Sequence, residues 1–597
     1  MTTVAVRSAP HSTAPAAGIG EPTTLTSGVG SVHRLTAGGL LLLGAWTDDD
    51  TRGCWRCALL WSSDVSPDTP LVESATEIPA WWHTTIDALT RLVVQEGVSW
   101  TRRLRIVDLD TGAVSVNSFI PHTKCARCSE LDGSASVISL DLTAPQFSLP
   151  GGLRTRRVDP AELREALVDY RFGPVAHVYR DEESPLALLT AEAVVPGRAT
   201  REGGYGRSTD FRSSEVPALL EGIERVAGGY RHPSQSTIVG SYRQLRNDAI
   251  DPRTLGEHVH SRATHQTFDY DAFDQDASTS WVWSWSTREH RPLLVPEHVA
   301  YWHEKGQGSR FFYESSNGCA VGSTFEEAVL HGLFEVAERD AFLLAWYSRS
   351  HLAEITVELE GSLAHTRDSI AERGLDLLLL DLTTELGVPT VMAIVTAPDW
   401  MVELGLAPGM SLASGAHLNP RLALAAAIEE TATNALMYPK WVGMRPSVAV
   451  GRCAPMLGDF NLVRTLDDHT GLHGLPAARP LWDFLAKPSK RIDFARFAPS
   501  APEGPVDVVA ALRCRVAAVH AAGMDMLVVD QSIPHLRDAF GVHAVKVIVP
   551  GTMPMTFGHL HQRTVGLPRL LRATSLLRGA SPSESPGFVS SIPHPFP

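Results

Sequence analysis

The sequence predicts a mixed α/β protein, and three observations lead there. Short apolar runs come in pairs: residues 377–382 and 390–395 flank a Gly387-Val388-Pro389 turn, and residues 526–530 and 544–549 repeat the pattern. Such runs, rich in branched side chains and bounded by turn residues, read as buried strands. Long apolar stretches with helical spacing alternate with them, residues 421–437 among them. Finally, 597 residues with 44% apolar content supply a large core, enough for about two to four domains.

Taken in chain order, residues 1–30 are rich in Ala, Thr, Ser, Pro and Gly and lack the apolar centre of a secretory signal; they read as a disordered tail. Leu40 to Leu43 is far too short to span a bilayer. Two C-x-x-C pairs follow, Cys54-Trp55-Arg56-Cys57 and Cys125-Ala126-Arg127-Cys128. Four thiolates in two knuckles suit a tetrahedral structural Zn²⁺, with redox disulfides as the rival reading. The spacing is too long for a small zinc ribbon, so a folded layer must bring the pairs together. Paired cysteines of this kind fit a reducing cytoplasm.

Two acidic helices dominate the rest. Glu221-Gly222-Ile223-Glu224-Arg225 and Glu335-Val336-Ala337-Glu338-Arg339-Asp340 share the pattern E-x-x-E-R inside apolar helical runs. Carboxylates three apart lie on one helix face. On the second helix Glu327, Glu335 and Glu338 fall at about 0°, 80° and 20° around the axis, a single stripe. Facing pairs would form an all-oxygen anionic cage suited to Mg²⁺ on a polyphosphate; a solvated acidic face is the alternative. The turn Ser315-Ser316-Asn317-Gly318-Cys319, with Ser323-Thr324 able to cap the helix, leads into the second run. No P-loop sequence occurs. The run Trp281-Val282-Trp283-Ser284-Trp285 alternates at period two and reads as a packed strand face. His559 and His561 lack a third metal ligand.

Ser316 to Gly322, Glu326-Glu327-Ala328 and Glu335 to Asp340 together resemble the signature of the YcaO superfamily. Gly204-Tyr205-Gly206 followed by Glu221 to Arg225 is similar to its first ATP-site motif. Ala413 to Pro420, followed by Ala427-Ile428-Glu429-Glu430, is similar to its third helix. Pro593-His594-Pro595-Phe596-Pro597 matches the P-x-P-x-P of azoline-forming members, and the setting of Cys125 and Cys128 resembles the zinc knuckle of ThiF-like proteins. The implied organisation is a tail at 1–30, a ThiF-like zinc-binding scaffold at 31–190 and a YcaO-type ATP-binding domain at 191–597.

The resemblance implies an ATP-dependent cyclodehydratase. A Cys, Ser or Thr side chain of a ribosomal precursor peptide attacks the preceding amide carbon, ATP phosphorylates the resulting oxygen, and phosphate leaves to give a thiazoline or oxazoline. It implies Mg²⁺ on Glu221, Glu224, Glu335 and Glu338, and ATP contacts from Arg207, Arg225, Ser316, Asn317, Glu327, Arg339, Glu430 and Arg563. It also implies a catalytic part for Glu335, Glu338 and the carboxylate of Pro597. Tyr205, Pro217 and Thr433 depart from the family pattern, standing where Lys, Ser and Gln are usual. Thioamide synthesis and a non-catalytic scaffold are the alternatives. The expected partners are the precursor peptide with its Cys/Ser/Thr-rich core, a separate leader-peptide-binding ThiF-like protein, a downstream flavin dehydrogenase and a second copy of the chain. A net charge of −15 without a compensating basic stripe argues against nucleic acid.

Overall fold

A computed structural model describes residues 23–27, 30–37, 39–44 and 53–597, except 73–77, 79, 96–101, 132–138, 183, 185, 233–234, 264, 442–450 and 498–503. The expected tail therefore lies outside the described residues up to 22. Its later part departs from expectation: Thr23–Ser27 is a strand, β1, paired antiparallel with β2 (Gly30–Ala37). β3 (Leu40–Gly44), β4 (Arg102–Asp108) and β5 (Val114–Phe119) complete an antiparallel sheet in the order β1-β2-β3-β4-β5. A second antiparallel sheet joins β6 (Val175–Asp181), β7 (Ala187–Ala193) and β8 (Glu202–Ser208). Thr190 sits inside β7 and pairs with strands on both sides. The domain boundary expected at 190 thus falls within a sheet, where ladder hydrogen bonds cross it.

The central sheet has the order β12-β11-β19-β20-β13, with β9 (Thr237–Ser241) pairing to β11. Here β11 is Ser278–Ser286, β12 Arg291–Pro296, β13 Cys319–Gly322, β19 Leu527–Asp530 and β20 His543–Ile548. A further sheet runs β17-β16-β15-β14-β18, from β14 (Ala353–Thr356), β15 (Asp376–Asp381), β16 (Thr390–Thr396), β17 (Met410–Ala416) and β18 (Lys490–Asp493). A small pair joins β10 (Glu257–His258) to β21 (Arg563–Val565). The mixed α/β class read from sequence is the observed one. Both apolar pairs are antiparallel neighbours, β15 with β16 and β19 with β20.

The continuous apolar character of β16 follows from its place between two helices. Val391 and Ala393 pack with Ala423, Ala427 and Ile428 of the third helix, Pro420–Trp441. Met392 and Ile394, on the other face, meet Phe342, Leu343 and Trp346 of the second acidic helix, Phe325–Ser348. That helix is apolar nearly all round because it is buried along its whole length. Its first half packs with Leu512 and Val516 and with Val528, Val545 and Val547 of the central sheet. Thr324 caps its start by accepting from Glu327 N at 3.2 Å.

The first acidic helix, Phe211–Gly229, lays Ala218, Leu219 and Ile223 on Val175, Leu189 and Ala191 of the second sheet. Contact with β8 is closest of all: a Cβ at Gly204 or Gly206 would collide with the carbonyl oxygen of Ala218 or Ser214. Glycine is required there for backbone approach, which seats Tyr205 and Arg207 beside the helix. Trp281 is fully buried and donates Nε1–H to Gly240 O at 2.9 Å, as a packed strand face requires. No helix among the described residues is long and apolar enough to cross a membrane.

Candidate functional site

The two E-x-x-E-R segments meet in one recess. Arg225 lies where they approach: Nη2 is 2.8 Å from Glu221 Oε1, Nη1 lies 4.0 Å from Glu224 Oε1 and donates to Ser316 Oγ in the turn before the second acidic helix, and its charge acts on Glu335 of the second segment. Glu221 Oε2 accepts from Tyr205 N at 2.8 Å, tying β8 to the same corner. On the far side Ser414 of β17 donates to Glu338 Oε1 at 2.9 Å. Arg339 Nε is 3.9 Å from Glu335, and its Nη1 is 3.7 Å from Glu338. Arg207 Nη1 lies 3.8 Å from Glu430 Oε2 of the third helix. The four glutamate side chains of the two motifs are between 13% and 28% exposed. They line a sheltered recess rather than a wet helix face.

Their electrostatics follow from this crowding. Burial pushes the Glu224 carboxyl well above its usual range; the Arg225 charge opposes this, and Glu335 and Glu221 add to it. Glu335 is raised chiefly by burial, against Arg339, Arg225 and Lys546. Glu338 is pushed up to about 7 by burial, with the Glu430 and Glu335 charges outweighing part of what Arg339 and Ser414 contribute. Five carboxylates (Glu221, Glu224, Glu335, Glu338, Glu430) face three guanidinium groups (Arg207, Arg225, Arg339). An oxygen-rich site with surplus negative charge is what hard dications prefer. Asn317 Oδ1, Arg207 Nε and Arg339 Nη1 are buried without a hydrogen-bond partner. An unmet buried polar group costs about 1–3 kcal/mol, and a phosphate group with its bound cation offers the partners these three lack.

Two expected site residues, Glu327 and Arg563, are extensively bonded within the protein. Glu327 is completely buried, and its two oxygens accept from Arg154 Nη1 (2.9 Å), Ser323 N (3.2 Å), Thr155 N (2.8 Å) and Thr155 Oγ1 (2.7 Å). These bonds pin residues 154–155 to the start of the second acidic helix. Arg563 is also tied to the surrounding backbone. Its guanidinium donates to Gly256 O (3.1 Å), Tyr313 O (2.7 Å), Leu255 O (2.5 Å) and Glu314 Oε2 (3.3 Å), which uses four of its five N–H groups.

Lys546 is a site residue the sequence reading passed over. It is buried on β20 opposite Cys319, donates to Ser315 O at 2.7 Å, and its charge opposes the rise of the Glu335 carboxyl. A single lysine inside an apolar strand run was the available signal. Cys319 is a buried packing residue whose thiol is raised by burial. Pro597 is half-buried, and the Phe596 ring before it lies under the Arg339 guanidinium at 3.9 Å.

Residues 205–553, which contain every acid of the recess, match the family described as YcaO cyclodehydratase, ATP- and Mg²⁺-binding. The chain belongs to the YcaO family. Curated relatives include an uncharacterized protein in the tfuA 3′ region of Rhizobium leguminosarum bv. trifolii, 32% identical over 220 residues, 35% of this chain and 49% of that protein. An uncharacterized protein of Methanothermobacter thermautotrophicus is 26% identical over 247 residues, 39% of this chain and 59% of that protein. The chain thus spans about half the length of the curated relatives it matches. Among solved structures, a heterocyclase in complex with substrate and cofactor is similar at 20% identity and a TM-score of 0.68, covering 95% of this chain and 77% of that one. The heterocyclase TruD is similar at 19% identity and a TM-score of 0.60, over 93% and 75%. These likenesses are of fold.

The YcaO acid recess sets a pH dependence. Glu338 keeps its proton up to about pH 7, against an ordinary carboxyl value of 4.5. Between those values the folded chain holds a proton that the unfolded chain has released, so this group's contribution to stability falls as pH rises through the window. A cation held by Glu338 would have to displace that proton, and its binding would be favoured at higher pH. Mg²⁺ with ATP is expected to raise the melting temperature more at about pH 8 than at about pH 5.5. Thermal denaturation at both values checks this.

The four paired cysteines form a second centre. Cys54, Cys57, Cys125 and Cys128 are buried free thiols whose sulfurs lie within 4.8 Å of one another. Three of the Sγ–Sγ separations are 3.9, 3.6 and 3.5 Å. A tetrahedron with Zn–S bonds of about 2.3 Å has six edges of about 3.8 Å; these three separations lie close to that value and the others fall within 4.8 Å. Each knuckle is closed by its own backbone: Cys57 N donates to Cys54 O, and Cys125 N to His122 O, both at 2.9 Å. His122 Nε2 is held by Asp64 at 2.8 Å, and its Nδ1 accepts from Lys124 N at 3.0 Å.

Proposed function

We propose that this chain is an ATP-dependent cyclodehydratase acting on Cys, and also Ser or Thr, residues of a ribosomally made precursor peptide. The observation that carries this reading is the convergence of both E-x-x-E-R helices on one sheltered recess with surplus negative charge. In this reading Glu221, Glu224, Glu335 and Glu338 hold Mg²⁺, while Arg225, Arg339, Arg207, Ser316, Asn317 and Glu430 contact or orient the nucleotide. Bound Mg²⁺ would neutralise the phosphate oxygens and leave the terminal phosphorus open to attack.

The chain's own groups supply the rest. Arg339 and Arg225 are fixed cations placed to meet charge developing on the transferred group, at no reorganisation cost. The recess restricts water, which protects a phosphorylated amide oxygen from wasteful hydrolysis. An amide oxygen is a very poor leaving group, and phosphorylation turns it into a good one. A thiol is the better nucleophile near neutral pH, so Cys is the favoured ring precursor. The paired cysteines hold a structural Zn²⁺ that ties residues 54–57 to residues 125–128. A leader-binding ThiF-like protein and a flavin dehydrogenase are the proposed partners before and after this step.

Mass spectrometry after incubation with ATP, Mg²⁺ and a synthetic Cys-rich precursor peptide tests the reading. Loss of one water per modified residue, matched by one phosphate released, is the expected outcome. Exchange of oxygen for sulfur in the presence of sulfide would assign a thioamide synthase instead. An unchanged peptide, with and without a leader-binding protein, would remove the enzymatic reading.

A further inference from the structure

Residues 592–594 present three successive main-chain carbonyls, and each accepts from the N–H of an aromatic ring. Trp346 Nε1 reaches Ile592 O at 3.0 Å, His473 Nε2 reaches Pro593 O at 2.8 Å, and His469 Nδ1 reaches His594 O at 2.5 Å. Prolines 593, 595 and 597 carry no backbone N–H. A segment so poor in donors cannot be held as an ordinary strand and must be gripped by its acceptors. Trp346 projects from the second acidic helix; His469 and His473 lie one turn apart on the helix Leu466–His473.

The tautomers are fixed by the second nitrogens. His469 Nε2 accepts from Gly558 N at 2.8 Å, so its proton is on Nδ1. His473 Nδ1 is buried without a partner, as an imidazole protonated on Nε2 allows. The His594 side chain donates from Nε2 to Thr556 O at 2.8 Å. All three imidazoles are fully buried, and burial keeps them neutral, His469 down to about 4 and His473 to about 3.

This grip ends at Phe596. Its ring is 1% exposed, packs on Phe342 at a centroid distance of 4.8 Å, and carries Arg339 on its face at 3.9 Å. Arg339 has little else to orient it: its ion pairs to Glu335 and Glu338 are 3.9 and 3.7 Å long, and Nη1 has no hydrogen bond.

We propose that Trp346, His469 and His473 are positioning residues for the nucleotide site. By gripping three consecutive carbonyls they seat Phe596 beneath Arg339 and so hold the guanidinium toward a bound phosphate. The proposal rests on the ATP reading above, and concerns residues that make no contact with the recess acids themselves.

The test pairs calorimetric binding of ATP with Mg²⁺ to hydrogen exchange over residues 588–596, in the full chain. His473→Leu removes the ring N–H while roughly keeping volume. It is expected to weaken ATP binding about tenfold, the scale of a lost cation–π support, and to speed exchange at His594 and Phe596. His473→Gln places an amide N–H at the same reach and is expected to restore both. Trp346→Phe, which also deletes a ring N–H, is expected to move both readouts the same way. A folded His473→Leu with wild-type ATP affinity overturns the proposal. If that variant does not fold, an unchanged affinity in Trp346→Phe overturns it instead. A wild-type chain that binds no ATP sinks the ATP reading itself, which the variants alone could not do.

Discussion

Glu338→Gln is expected to lower ATP-dependent turnover on the order of 10²–10³-fold, the usual cost of removing one preorganised electrostatic contact, while leaving the fold intact. The glutamine carbonyl can still accept from Ser414, whose bond to Glu338 is 2.9 Å, so the side chain keeps its place. What disappears is one negative charge from a group that already struggles to ionise, held near 7 by burial and by Glu430 and Glu335. Two measurements should therefore diverge. The metal-free variant melts at or above the wild-type temperature near neutral pH, because a crowded charge has gone. Stabilisation by Mg²⁺ with ATP shrinks, because a ligand oxygen has gone. Turnover equal to wild type, or an unchanged response to Mg²⁺, would remove Glu338 from the cation site.

The second large effect concerns the cysteine centre. One zinc per chain is expected by elemental analysis, and its removal by a strong chelator should unfold the surrounding layer. Structural zinc in small domains supplies an apparent 10–16 kcal/mol at neutral pH, about as much as a whole domain's net stability. The four thiols sit in one core with Trp61, Phe119, Ile120, Leu163 and Phe172. Without the ion, four polarisable but mutually crowded sulfurs occupy that core with no strong partner. Cys57→Ser should reproduce the chelator's effect, read as a lower melting temperature and as newly titratable thiols. A metal-free preparation with wild-type melting behaviour would show that the cluster is held by packing alone.

Much of this was legible in the sequence, for physical reasons that differ from place to place. The pairs β15–β16 and β19–β20 were readable because apolar runs between turn residues have few other ways to bury themselves. The shared face of Glu335 and Glu338 was readable because helical spacing fixes it. Glu327 shows the limit of that argument. A helical wheel gives the angle of a side chain but not its height, and eight residues put Glu327 about 12 Å from Glu335 along the axis, where Arg154 and Thr155 meet it. The partners of Arg563, the carbonyls of Leu255, Gly256 and Tyr313, come from far earlier in the chain and were not legible from spacing. The pairing of His351 with Ser581 likewise joins residues far apart in the chain, which spacing alone does not reveal.

The second acidic helix serves several neighbours at once along its 24 residues. Glu327 fastens the 154–155 loop, Glu335 and Glu338 face the recess, Asp340 accepts from Met553 N at 2.8 Å and pairs with Arg569, and Trp346 holds the proline-rich segment. Each depends on the same angular phase. One extra residue between Glu327 and Glu335 would turn everything beyond it by about 100°, aiming carboxylates into β16 and apolar side chains into the recess. Point changes along this rod can be absorbed one at a time; a change in its length cannot.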